Sequence, residues 1–285
     1  MIRRYRVLSF VLFCGLVISS SGDEPARPQA ELRLIPLTRT VRIPVSMQEI
    51  QPTGKIPLGD PATLMVSPGA QDEPPEGPAA FDVLDDGSFL ISDPLRNSVS
   101  VFDSRGKFRQ AWRIGFAADS VTVGANGLIL VREASTGQLH AFDLQGKLRP
   151  SEAAALPQAA EARVLTGNSG TVTVPPIGSA GGRTIEVRLD KPGLRLLSIE
   201  GLGTDSQGNT YVALETTTGG EETEGINLNK SVRKYAANGV LVCEVTDIPL
   251  DYYVTPVDEL RVRKGILYQL MTGSSEVRIN VWDMN

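Results

Sequence analysis

The chain of 285 residues contains a single histidine, His140, and two cysteines, Cys14 and Cys243. One histidine cannot supply the several histidine ligands of a typical zinc enzyme. A Ser-His-Asp triad would have to use His140, and no Gly-x-Ser-x-Gly motif accompanies it. Cys14 lies in a segment that we expect to be removed, which leaves Cys243 without a disulfide partner. Cys243 falls in a strand-like run, 241–245, where a packed position is predicted.

A phosphate-binding loop, a dinucleotide fingerprint and a positive net charge are also lacking. The formal net charge is −5, and an acidic chain is a poor nucleic-acid binder because affinity for phosphate comes mainly from Lys and Arg. The apolar content of 41% and the charged content of 21% are ordinary for a globular protein. The length suits one large all-β domain or two small domains.

Residues 1–22 have the pattern of a secretory signal peptide, so the mature chain is expected to be secreted or periplasmic. A basic start (1–6) precedes a short apolar run (7–18) and a group of small residues (19–22). The apolar run is too short to span a bilayer, which takes about 20 residues, so cleavage is favoured over an uncleaved anchor. No membrane span is expected after cleavage.

Two other export signals fit this segment less well. Cys14 would suit a lipoprotein, but the bulky Phe13 stands where a lipobox requires a small residue. Arg3 and Arg4 would suit a twin-arginine signal, but Arg6 stands where such signals carry an apolar residue. Loss of these three arginines would lower the 28 basic residues to 25 against 33 acidic ones, a net charge of −8.

The dominant feature of the sequence is a unit of 40 residues that occurs twice between Pro78 and Arg149. The segments 81–93 and 99–107 are echoed at a constant offset by 121–133 and 139–147. Period-2 apolar runs separated by glycine turns in a unit of this size are typical of a β-propeller blade. Three more divergent units are predicted at 162–199, 202–245 and 259–283.

The last unit stops at Asp283 after its third strand, which would leave an unpaired edge. We therefore predict an all-β propeller of five four-stranded blades, with the ring closed by an N-terminal strand. The preferred closing strand is Thr63–Val66. In the alternative, Leu32–Ile35 closes the ring and residues 40–67 form a degenerate sixth blade. The domain prediction is an extension at 23–60 and a propeller at 61–285.

The stretch from Phe81 to Phe108 resembles an NHL repeat, and Tyr235–Leu241 resembles the end of another. The resemblance is to NHL-like propellers of the secreted bacterial type, which mostly present binding surfaces for proteins or other ligands. A minority of related propellers are amidating lyases, streptogramin lyases and calcium-dependent lactonases. The lyases hold zinc with several histidines, which this chain cannot supply. Asp93 resembles the NHL aspartate that orders its own loop.

The remaining candidate chemistry belongs to carboxylates. Counting back from the turn glycines places four acids at the start of the inner strands, on the rim of the central channel: Asp119, Glu161, Glu200 and Asp258. The insertion between two strands of the fourth unit adds three acids on the same face: Glu221, Glu222 and Glu224. These acids are expected to bind a basic protein partner, another ligand or Ca²⁺, whose preferred ligands are oxygen atoms. The alternative is that they only cap loops and solvate the surface.

Two functions follow from these features. The first is an exported, non-catalytic propeller that binds a protein or ligand at this acidic face and needs no cofactor. The second is a carboxylate- and calcium-dependent hydrolase or lactonase with its site at the central channel. A structural role in the cell envelope is a third possibility, which the sequence does not separate from the first.

Overall fold

The computed structural model describes residues 32–48, 60–69, 72–124, 126–150, 163–174, 182–218 and 227–285. The predicted signal peptide, residues 1–22, lies outside these ranges. The strands are β1 (Arg33–Leu34), β2 (Arg39–Met47), β3 (Leu64–Val66), β4 (Phe81–Val83), β5 (Phe89–Asp93), β6 (Ser98–Phe102), β7 (Phe108–Arg113), β8 (Ala118–Val123), β9 (Ile129–Glu133), β10 (Leu139–Phe142), β11 (Arg163–Thr166), β12 (Ser169–Val174), β13 (Arg183–Arg188), β14 (Leu194–Thr204), β15 (Thr210–Thr218), β16 (Asn227–Tyr235), β17 (Leu241–Val245), β18 (Leu260–Arg263), β19 (Ile266–Thr272) and β20 (Glu276–Asp283). A short 3-10 helix, Pro94–Arg96, follows β5.

These strands form five sheets within the described ranges, which we number in chain order. The first is β4-β5-β6-β7, the second β8-β9-β10 and the third β11-β12-β13. The fourth contains β14-β15-β16-β17-β1, and the fifth contains β18-β19-β20-β2-β3. The first strand of each sheet is the inner one, since β4 contacts β8 and β18, and β14 contacts β11 and β18. This arrangement is that of a β-propeller.

The repeat seen in the sequence forms the first two sheets. The turn that joins β4 to β5 has Gly87 at φ 80°, and its counterpart Gly127 between β8 and β9 has φ 76°. Glycine adopts positive φ without the steric cost that a side chain brings, which explains why both turns carry it. The first sheet has the four predicted strands, but the second and third have three each among the described residues, and the fourth and fifth have five.

An N-terminal strand closes the last sheet, as expected, but it is β2 and not the preferred Thr63–Val66. Arg39 to Pro44 pair antiparallel with Val281 to Glu276 of β20, so the exposed edge of the last repeat is covered. Residues 64–66 instead add a parallel strand outside β2. The alternative closing strand is also wrong, because Arg33 and Leu34 pair with β17 of the fourth sheet. Thus β1 and β2, which lie in the segment predicted as an extension, both belong to propeller sheets.

A second correction concerns the third unit. Residues 195–199 were expected to form its outer strand, but they are part of β14, the inner strand of the fourth sheet. Ile199 pairs with Leu214 of β15. Ile199 and Leu214 also join the hydrophobic cluster between the third and fourth sheets, so the apolar run is buried as expected but belongs to a different sheet.

The hydrophobic core lies between neighbouring sheets. Four clusters fill the interfaces between the fifth and first, first and second, third and fourth, and fourth and fifth sheets. Each contains one aromatic residue from the same position of the repeating unit, Phe102, Phe142, Tyr235 or Trp282, so these residues pack between blades. Cys243 is buried in the cluster between the fourth and fifth sheets, as predicted.

The loop after β5 is held by Asp93, as the NHL resemblance implied. One carboxylate oxygen accepts the Arg96 amide at 3.3 Å, and the other accepts the Met65 amide of β3 at 3.1 Å. Arg96 in turn donates to the carbonyl oxygen of Thr63. Asp93 therefore orders its own loop and also fixes β3 against the first sheet.

Candidate functional site

The centre of the candidate site is the ion pair between Arg261 of β18 and Asp258, which precedes that strand. The two terminal guanidinium nitrogens donate to the two carboxylate oxygens. Arg261 also donates to the Val121 carbonyl oxygen of β8 at 3.4 Å, and its Nε lies 3.7 Å from Asp82 Oδ1 of β4. One side chain thus connects inner strands of the fifth, first and second sheets across the channel.

Electrostatics keep this arginine charged although it is enclosed. Burial works against the charged form, but the hydrogen bonds and attraction of Asp258 and the charges of Asp82 and Glu200 raise the pKa of Arg261. Glu200 belongs to β14, so the field of Arg261 also reaches the fourth sheet. Arg261 is therefore the positive centre around which acids from several sheets are arranged.

Asp82 is the deepest acid of the group and is only 5% exposed. Its oxygens accept the backbone amides of Val83 at 2.7 Å and Val123 at 2.6 Å, which joins β4 to β8. Burial raises its pKa, while Arg261, these two amides and Arg263 act in the opposite direction. A buried carboxylate needs such compensation, so Asp82 holds the inner strands together.

A second ion pair lies beside the first. Arg132 of β9 donates to Asp119 of β8 at 2.8 Å. The hydrogen bond and charge of Asp119, together with the charge of Asp258, raise the pKa of Arg132 against the effect of burial. Acids and arginines therefore alternate around the channel from the second sheet to the fifth.

Three of the predicted site residues, Asp119, Glu200 and Asp258, share this network. The other four lie outside the described residues: Glu161, Glu221, Glu222 and Glu224. The feature that singles out the acids, their distance from the turn glycines, does not select the arginines. The alternation of Arg261 and Arg263 along the short β18 would have indicated them, since residues two apart in a strand face the same side.

Another polar cluster surrounds Glu259, the neighbour of Asp258. Lys230 of β16 contacts Glu259 and lies 2.9 Å from Glu215 of β15. Tyr252 donates its hydroxyl to Glu259 and accepts a hydrogen bond from Gln269 at 3.0 Å. Burial lowers the pKa of Lys230, but Glu259 and Glu215 outweigh this effect and raise it. A lysine held in its charged form is a poor nucleophile, so the cluster is suited to tying the fourth and fifth sheets together.

Glu133 at the end of β9 and His140 in β10 form a further polar contact in the second sheet. Glu133 accepts hydrogen bonds from Ser135 at 2.8 Å and Thr136 at 2.9 Å, which caps its own turn. His140 lies in β10, the outer strand of the second sheet, with Nε2 3.5 Å from Glu133 and its ring against Phe116. This stacking leaves the side chain of His140 only 21% exposed.

Two features are absent from the described ranges. No group of three or more His, Cys, Asp or Glu residues is arranged there to hold a metal ion. Nor does any helix in that part of the chain have the length and apolar character needed to cross a bilayer. The chemistry visible at the channel is therefore that of carboxylates paired with guanidinium groups.

No protein-family model matches the chain, and no curated protein matches its sequence. Among solved structures, it is similar to virginiamycin B lyase from Staphylococcus aureus, with 11% identity and a TM-score of 0.35 over 72% of this chain and 94% of that one. A gluconolactonase from Xanthomonas campestris has 13% identity and a TM-score of 0.34 over 72% and 85%. BamB from Moraxella catarrhalis has 13% identity and a TM-score of 0.31 over 73% and 83%. Likenesses this distant carry no argument about activity.

Proposed function

We propose that the chain is an exported, non-catalytic β-propeller that binds a protein partner or other ligand through the channel face that carries Asp119, Glu200 and Asp258. The observation that supports this function best is the pairing of the channel acids with arginines. Asp258 is bound by Arg261 and Asp119 by Arg132. In these pairs the guanidinium donors already occupy both carboxylate oxygens of Asp258 and one of Asp119.

The same pairing argues against a calcium-dependent hydrolase or lactonase. Calcium needs about six to eight oxygen ligands, and the oxygens of Asp258 are already bound by the guanidinium group of Arg261. The positive charges of Arg261 and Arg132 would also repel a cation placed between them. The described residues of this face do not fit a calcium site.

The partner that we propose is basic. Glu200 is exposed on this face, and the β15–β16 hairpin, with nine residues in each strand, leads into the sequence insertion that contains Glu221, Glu222 and Glu224. Complementary charge would steer such a partner and fix its orientation more than it would add affinity. Export rests on the signal-like sequence of residues 1–22, and the mature protein would meet its partner outside the cytoplasm.

The test is a pull-down from the envelope fraction of the source organism, with the mature chain as bait and mass spectrometry as the readout. A second bait carries Gln at positions 221, 222 and 224, and a control bait removes three exposed acids elsewhere through Glu73→Gln, Glu76→Gln and Asp190→Asn. The captured partner is then purified, and its Kd is measured at low salt.

Removal of three attractive charges should raise the Kd about tenfold at low salt, since each exposed pair contributes about 0.5 kcal/mol. The control bait should bind like the unmodified chain. An unchanged Kd for the triple Gln variant would rule out the acidic face as the binding surface. Calcium-dependent lactone hydrolysis that is lost in Asp119→Asn would instead support the enzyme.

A further inference from the structure

We propose that a cavity of about 180 Å³ between the fourth and fifth sheets binds a small organic acid. The cavity lies where the inner strands β14 and β18 end, at Thr204 and Arg263. Asp258 precedes β18, so this site is at the other end of that strand and does not depend on the proposed function.

The apolar part of the wall comes from both sheets. Leu202 of β14 and Val262 of β18 are half-buried and pack against the cluster between the sheets, with Tyr211 of β15 beside them. A cavity of about 150 Å³ can hold benzene, so this one has room for a single ring with a small substituent. Its shape therefore suits a ligand of about ten non-hydrogen atoms.

A β-bulge opens the wall on the β14 side. Gly201 pairs with Val212 and Gly203 pairs with Tyr211, which leaves Leu202 outside the regular ladder. Gly203 has φ 121°, and a Cβ atom added there would have no atom within 4 Å. Bulges commonly occur next to binding sites, where they change the direction of a side chain. Gly203 places no side chain in this part of the cavity.

Two cations border the cavity. Lys264 donates to the backbone oxygen of Asp85 at 2.9 Å, which uses one of its three ammonium hydrogens. The Asp85 carboxylate is 3.9 Å from Lys264, and its side chain is 81% exposed. Arg263 donates Nε to the Val83 carbonyl oxygen at 2.9 Å, while its Nη2 is 3.9 Å from Asp82, beyond hydrogen-bond distance. Both cations thus have donors suited to an added carboxylate.

The acid nearest to the apolar walls is already engaged. Asp205 accepts the amides of Gln207 and Asn209, the Asn209 side chain and the Tyr211 hydroxyl, each at 2.9 Å. These four donors hold its charge within its own turn, so it is a poor partner for a ligand cation. Asp85 also lines the cavity, but its carboxylate is 81% exposed to solvent and 3.9 Å from Lys264. The donors of Lys264 and Arg263 therefore face a single solvent-screened acid, and this arrangement favours an anion over a cation.

The experiment is an NMR titration of the mature protein, labelled at Leu and Val methyl groups, with benzoate as the probe. Benzamide and benzylamine have nearly the same shape but carry no charge or the opposite charge. The methyl signals of Leu202 and Val262 should shift with a Kd below about 5 mM for benzoate, and the Kd should be at least tenfold higher for both analogues. The methyl signals of Val240 and Val257, two exposed residues away from the cavity, should not move.

A charge variant checks the role of the cations. Lys264 is 64% exposed, so Lys264→Gln should fold normally and raise the benzoate Kd about fivefold or more. Lys107→Gln removes the same charge from an exposed turn of the first sheet and should leave the Kd unchanged. Equal affinity for benzoate and benzamide in the unmodified protein, or no shift of the Leu202 and Val262 signals at 20 mM benzoate, would overturn the proposal.

Discussion

Arg261 and Asp258 form a two-point ion pair at the junction of the last and first sheets. Asp258 is fixed there by its backbone, which donates to the Ala79 carbonyl oxygen at 3.1 Å and forms a parallel bridge with Ala80. Arg261 then reaches inward toward Asp82 and Val121. The pair therefore connects the closure of the ring with the centre of the channel.

We expect Arg261→Met to destabilise the fold strongly. The substitution leaves Asp258 without its partner, and the buried Asp82 keeps only the charge of Arg263 at 3.9 Å. Removal of one member of a fully buried pair costs about 3 to 5 kcal/mol, so for this partly buried pair the free energy of unfolding in urea should fall by about 2 to 3 kcal/mol.

A matched control uses an exposed pair. Arg109 lies 2.7 Å from Asp86, with side chains 49% and 52% exposed. Arg109→Met should change the free energy of unfolding by about 0.5 kcal/mol or less. Equal effects of the two substitutions would contradict the central role of Arg261.

Asp93 should give the protein a specific pH dependence. Burial raises its pKa from 3.8 to about 6, although Arg96 and the Met65 and Arg96 amides act in the opposite direction. Between these two values the folded state binds more protons than the unfolded state, so the contribution of Asp93 to stability falls as the pH rises. The contribution is fully present below about pH 4 and is lost above about pH 6.

Asp93→Asn removes this titration. The free energy of unfolding of the unmodified protein, minus that of the variant, should decrease by about 2 kcal/mol from pH 4 to pH 7. Urea unfolding at several pH values measures this difference. A difference that stays constant across the range would show that Asp93 titrates normally in the folded protein.

Ring closure by β2 can be tested by truncation. A chain that begins at Gln48 lacks β1 and β2, so the outer edge of β20 loses its partner and Val277 and Ile279 lose part of their cover. An unpaired apolar edge promotes aggregation, and this chain should elute from a sizing column as large species. A chain that begins at Leu32 keeps both strands and should elute as the same species as the mature protein. Normal elution and melting of the shorter chain would contradict the closure.

The sequence was sufficient for the features that repeat locally. The 40-residue echo, the turn glycines and the recurring aromatics all arise from contacts that each blade makes with its neighbour. Strand pairing between residues far apart in the sequence leaves no such local repeat. The spacing of Thr63–Val66 from the first blade made it the preferred closing strand. In the structure β2 pairs with the edge of β20 instead, with Arg39 opposite Val281.

The same limit applies to the candidate site. Asp119, Glu200 and Asp258 were found because their distance from the turn glycines is a local property. Their partners Arg132 and Arg261 depend on how the sheets are arranged around the channel. The acids considered alone suggested a calcium site. The two arginines add positive charge at the same place, which is unfavourable for a calcium ion.

The most direct test of the account is a calcium titration followed by thermal unfolding of the mature protein and of Asp258→Asn. A calcium site with a Kd of about 10 µM would stabilise the folded state by about 2.7 kcal/mol at 1 mM Ca²⁺, which corresponds to a shift of several degrees in the melting temperature. Because Arg261 and Arg132 already bind the channel acids, we expect 1 mM Ca²⁺ to move the melting temperature by less than about 1 °C. A saturable increase of several degrees that disappears in Asp258→Asn would contradict the account.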